Sequence, residues 1–88
     1  METMQSKTLK AIDFYGKPVD IKTIAGLINN NVVRTKKYLQ ALHDKGLVER
    51  EIIYKKEFNK VYPVAYYQIS QSKDKRIQER IKYWLEHF

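Results

Sequence analysis

Apolar residues recur at two different spacings along this chain, and the change of spacing divides it. From Thr3 to Tyr15, the residues Met4, Leu9, Ala11, Ile12 and Tyr15 fall where a helix gathers them on one side, and Gly16 ends the run. Lys17 and Pro18 break the pattern, so residues 18–20 read as a short extended link. Asp20 suits a helix N-cap, because Ile21, Ile24, Ala25 and Ile28 follow at i, i+3, i+4 and i+7. Asn29, Asn30 and Asn31 then form a turn, with Asn29 and Asn30 suited to it and to the cap of the next helix.

That next helix, residues 31–45, is the element the rest of the chain serves. Steps of 100° place Val32, Thr35, Tyr38, Leu39 and Leu42 on a core side, and Val33, Arg34, Lys37 and Gln40 away from it. Gly46 supplies the stop, since a left-handed residue costs least without a Cβ. Beyond it the period shortens to two. In LVEREIIY, Leu47–Tyr54, the residues Val48, Ile52 and Tyr54 oppose Glu49, Glu51 and Ile53. In the run Val61–Ile69, Val61, Pro63, Ala65, Tyr67 and Ile69 oppose Tyr62, Val64, Tyr66 and Gln68. Two strands follow, joined by KKEFNK, a loop from Lys55 to Lys60 bearing three lysines. Pro63 cannot donate to a ladder, so regular pairing is expected to break near it. Phe58 is expected to fold back on the hairpin, with contact to a nucleic-acid minor groove as the sharper reading.

A last helix is expected to start at Ser70 or Ser72 and to run to the end, about 17 residues and about 25 Å at the standard rise. Ile77, Ile81, Trp84, Leu85 and Phe88 make a strong apolar stripe on it. The stripe can pack on the first helix of its own chain, on a second chain across a two-fold axis, or on both; a dimer interface is expected here.

Composition sharpens the picture. The 88 residues suffice for one modest core, and 43% are apolar, enough for a globular fold. Lys and Arg number 17 against 10 Asp and Glu, a net charge of +7 that favours a polyanionic partner. The absence of cysteine removes disulfides and thiolate metal sites. No run approaches the length of a membrane span and METMQSKTLK is too polar for a signal peptide, so a cytoplasmic protein is expected.

The outward face of the 31–45 helix has the chemistry of a major-groove reader. Arg34, Lys36 and Lys37 suit phosphate or guanine, Gln40 can read adenine, and Val33 can touch a thymine methyl. Taken alone, such a face is equally an ordinary solvated one.

The order of elements and two local strings decide between these. YLQALHDKGLVER, Tyr38–Arg50, resembles the passage from recognition helix to wing in winged helix-turn-helix DNA-binding domains. AYYQIS, Ala65–Ser70, is similar to the closing wing strand of that family. MarR-like, ArsR-like and PadR-like regulators are all similar in outline. The resemblance implies an α+β fold with a three-helix core and a two- to three-stranded wing over residues 1–71, followed by a dimerisation helix over 72–88. It implies DNA contacts at Asn30, Asn31, Val33, Arg34, Lys36, Lys37 and Gln40, and wing contacts to phosphate or the minor groove at Lys55, Lys56 and Lys60. Domains of this family specialised for left-handed DNA carry an outward tyrosine on the recognition helix and a tryptophan in the wing. Here Tyr38 falls on the core side and Trp84 in the last helix, a departure from that specialisation.

Catalytic patterns are missing. His43 and His87 lie far apart without ligand spacing, Asp13 and Asp44 stand in no nucleophile or acid/base pattern, and three glycines make no phosphate loop. The expectation is therefore a non-enzyme without cofactor or metal, a homodimeric transcription regulator of double-stranded DNA. The alternatives are a winged-helix module that docks its basic face on an acidic protein, and an RNA binder stacking bases on Phe58, Tyr62 and Tyr66.

Overall fold

Local capping chemistry sets most of the helix boundaries. In a computed structural model that describes residues 3–88, α1 spans Met4–Tyr15 and begins with a reciprocal capping box. Thr3 Oγ1 accepts from the Ser6 backbone N–H at 3.1 Å, and Ser6 Oγ accepts from the Thr3 N–H at 2.9 Å. Ser6, Thr8, Leu9 and Ile12 form its buried face. Met4 and Tyr15, expected there, lie further out, while Ser6 and Thr8 are buried because their hydroxyls donate to carbonyls one turn back.

The link after Gly16 is a strand, β1, Val19–Asp20. Asp20 also caps α2, Ile21–Leu27, where its carboxylate accepts from Thr23 Oγ1 at 2.6 Å and from the Thr23 N–H at 3.3 Å. Each of the three asparagines that follow has a separate task. Asn29 is left-handed (φ 54°), and the N–H groups of Asn29 and Asn30 return to the carbonyls of Gly26 and Ala25, a Schellman closure of α2. The N-cap of α3, Val32–Asp44, is Asn31 rather than Asn29 or Asn30; its Oδ1 accepts from the Arg34 N–H at 2.8 Å.

Gly46 ends α3 as expected. It is left-handed (φ 76°), the Gly46 N–H meets the His43 carbonyl, and the Leu47 N–H meets the Leu42 carbonyl. Leu47 is thereby turned into the core beside Leu42 and Leu39.

Two ten-residue strands follow, β2 Val48–Glu57 and β3 Lys60–Ile69. They pair in an unbroken antiparallel ladder from Val48 opposite Ile69 to Glu57 opposite Lys60. The expected loop Lys55–Lys60 is absent; the connection is Phe58–Asn59 alone, both left-handed (φ 50° and 63°). Positive φ at both positions gives the type I′ twist that matches the strands, at a conformational cost of about 1–3 kcal/mol for a residue such as phenylalanine. Phe58 does not fold back, and stands 90% exposed at the tip. Nor does Pro63 interrupt pairing. Counted from the two-residue turn, it occupies a non-hydrogen-bonded position opposite Tyr54, so its nitrogen faces away from β2.

The sheet order is β1-β3-β2, with β1 pairing only at Tyr66 and Tyr67. The described residues thus form an α+β fold, four helices with one three-stranded antiparallel sheet. Its core joins Leu9 and Ile12 of α1, Val19, Ile24, Leu39 and Leu42 to Val48 and Tyr67 at the base of the hairpin.

The last helix, α4, is Lys75–His87, 13 residues and shorter than expected, because the cap is Asp74 and not Ser70 or Ser72. The two serines spend their hydroxyls on the turn before it, each accepting from an N–H two residues on. The α4 stripe packs on the body of its own chain. Ile81 is 7% exposed within the core, with Ile77, Trp84 and Leu85 packed against it. Within the single chain, Ile81 therefore belongs to the core and has little exposed surface. Among the described residues, no helix is long and apolar enough to cross a membrane.

Candidate nucleic-acid interface

The packing of α3 decides which of its side chains face solvent. Thr35, Leu39 and Leu42 are buried, and the Thr35 hydroxyl donates to the Asn31 carbonyl at 2.7 Å. Tyr38 is half-buried on that side, whereas Val32, expected in the core, is 41% exposed at its rim. The opposite side presents Val33, Arg34, Lys36, Lys37 and Gln40, all exposed, with Val33 at 69%. One flank of this face carries Arg34 and the other Val32 and Lys36. Among the described residues none of its three cations is held in an ion pair, so their charge is not neutralised within the chain.

Three of the expected contact residues are partly occupied. Gln40 Nε2 donates to Asp44 Oδ1 at 2.9 Å, one turn along the same face. Asn30 Oδ1 accepts from the Asn31 N–H at 2.9 Å, and Asn31 Oδ1 caps α3, so each amide has its NH2 end free of these bonds to give a ligand.

The wing lysines are not a loop cluster. Because paired residues share a face, Lys55 and Lys60 lie on one side of the hairpin and Lys56 on the other. Lys55 stands 5.3 Å from the centre of the Tyr66 ring. A hydrogen bond with the Tyr66 hydroxyl raises its pKa, so it is charged throughout the physiological range. Tyr62 donates to Glu57 at 2.8 Å, and that bond raises the phenol's pKa.

Between α3 and the hairpin lies a groove of about 670 Å³. Val32 and Lys36 form one wall, Arg50, Ile52, Pro63 and Ala65 the other, and Asp20 and Lys22 at the start of α2 close one end. Lys22, Lys36 and Arg50 line this depression on the helix side, and Lys55 borders it from the other face of the hairpin where it wraps around the β3 edge; a single carboxylate, Asp20, stands against them.

Lys22 and Arg50 do not stand out in the sequence. Arg50 is legible in hindsight from the alternation itself. It shares a face with Val48, and Val48 is core, so Arg50 and Ile52 must project towards the helices. For Lys22 there is no comparable signal, because only the folded arrangement brings α2 to the groove.

Comparison with protein-family models and with curated proteins returns no match. The arrangement of cations is therefore what a functional reading rests on.

Proposed function

We propose that this protein is a winged helix-turn-helix regulator of transcription that binds double-stranded DNA in a sequence-specific manner as a homodimer. The observation that carries this reading is the continuity of two basic surfaces. The outward face of α3, with Arg34, Lys36 and Lys37, runs through Lys36 into the groove lined by Lys22, Arg50 and Lys55. A helix of this width fits a major groove, and the phosphate backbone beside it then falls into the depression. Arg34, Val33 and Gln40 read base edges, while the remaining cations hold register.

The element order supports the winged-helix assignment: a short helix, a tight asparagine turn, the basic helix, then a hairpin whose central strand also pairs with β1. In the proposed dimer, the half-exposed ends of the α4 stripe, Trp84, Leu85 and Phe88, meet their two-fold copies. The two α3 helices then enter successive major grooves about 34–36 Å apart.

A salt titration against a random-sequence duplex tests the reading. The logarithm of affinity falls linearly with the logarithm of salt concentration, by about 0.9 for each phosphate neutralised. No binding at low salt sinks the proposal. One observation favours a second reading, a protein-docking module: Ile52, Tyr54 and Val61 are exposed on the helix-side face of the hairpin, where a phosphate-binding surface needs no apolar area.

A further inference from the structure

We infer that Phe58 acts as a wedge, entering the minor groove and prising apart one base step so that the bound duplex bends. This inference rests on the DNA reading above and deepens it.

Three observations converge on the ring. It is 90% exposed, the most exposed large apolar side chain among the described residues. It sits at the first of two left-handed positions (φ 50°), where asparagine or glycine fits with less strain and phenylalanine has no conformational reason to be. Strain kept at an exposed tip points to a use for the side chain rather than to the fold. Finally, the turn is rigidly delivered, since the ladder is paired up to Glu57 opposite Lys60.

Reach agrees with this geometry. From Ile52, on the groove wall that faces α3, to Glu57 is five residues of strand, about 17 Å at the usual rise. That is about half of a 34–36 Å helical repeat, the separation between a major groove and the adjoining minor groove. Charge agrees as well. Lys55, Lys56 and Lys60 surround the tip against one carboxylate, Glu57, which accepts a hydrogen bond from Tyr62. A cationic collar draws the tip to the backbone on either side of a minor groove, and the ring then meets base edges and sugars. Apolar side chains delivered in this manner unstack a base step and kink the duplex towards the major groove by about 20–90°.

Phe58→Asn provides the test, because asparagine suits the turn. In the full-length protein it should raise thermal stability while abolishing the bend, a combination that loss of a structural residue cannot produce. Bending is read by energy transfer between dyes on the two ends of a 25-base-pair duplex containing central TA steps. The wild type should shorten the end-to-end distance. Phe58→Asn should bind with roughly tenfold lower affinity and leave the duplex straight, and Phe58→Leu should retain most of the bend. A Phe58→Asn complex bent as strongly as the wild type overturns the inference while leaving DNA binding intact. Failure of the wild type to bind duplex at low salt removes the functional proposal and the wedge together. Phe58-dependent binding to vesicles of anionic phospholipid, with an unchanged duplex bend, assigns the tip to a membrane surface and also overturns it.

Discussion

Gln40 and Asp44 are joined by a 2.9 Å hydrogen bond on the solvent side of α3, which places a carboxylate at the end of an otherwise cationic face. The bond orients the glutamine amide along the helix. It also sets a negative charge on the face proposed to meet phosphate.

Asp44→Ala should therefore tighten binding to random duplex DNA about three- to tenfold at low salt, an electrostatic gain that screening erases as ionic strength rises. Discrimination by Gln40 should fall at the same time, since its amide loses its anchor. Fluorescence anisotropy against matched and mismatched duplexes reads both quantities. Weaker binding by Asp44→Ala would mean that the carboxylate faces away from the ligand.

Replacing Arg34 and Lys37 together with Ala should weaken duplex binding by about a hundredfold and lower the salt slope by about two. Thermal stability should stay within about 0.5 kcal/mol of wild type, as both side chains are exposed and unpaired. Calorimetry and a binding titration on the same preparation make the comparison. A large stability loss would place these residues on the packed side of α3.

The helix boundaries were readable because caps are local. Asp20 and Gly46 announce a start and a stop by residue type alone, and the structure uses both. The hairpin tip is harder to read because Phe58–Asn59 lacks the glycine that usually marks a two-residue turn, so six residues resemble a loop where two suffice. The start of α4 is ambiguous for a different reason. Ser70, Ser72 and Asp74 can all cap, and the choice depends on the chain of serine hydroxyl bonds that forms only once the turn is made. The groove was illegible in its assembly, since α2, α3 and the hairpin meet there from distant parts of the chain.

The Asp20 cap gives a pH dependence with a defined sign. Partial burial acts to raise the carboxyl's pKa, but the hydrogen bonds from Thr23, with further backbone N–H bonds, outweigh it and hold the value below the usual 3.8. The folded-state pKa is thus lower than the unfolded one. The stabilisation is complete above the unfolded value and is lost as pH falls through the folded one. Asp20→Ala should cost about 1 kcal/mol at neutral pH, and the gap from wild type should close below about pH 4. Urea unfolding at neutral pH and near pH 3 checks this; a gap that widens on acidification reverses the assignment.

Along α4, stability and assembly should separate by residue. Ile81→Ala should lower stability by about 2–4 kcal/mol, because the side chain is enclosed between α4 and the core. Leu85→Glu with Phe88→Glu should instead yield monomers by light scattering, with the helical circular-dichroism signal retained. A dimer that survives the second pair relocates the two-fold contact away from α4.

Pro63 bears on how safely the protein carries its long arm. β1 covers the central strand only at Tyr66 and Tyr67, which leaves the outer edge of β3 bare towards the tip, beside exposed Val61. A bare edge with apolar side chains is a template on which further strands can add, the first step of fibre growth. At the middle of that edge the outward-facing residue is a proline, with no N–H to offer an incoming strand. The ring that leaves the ladder to β2 undisturbed thus guards the opposite side against runaway self-association.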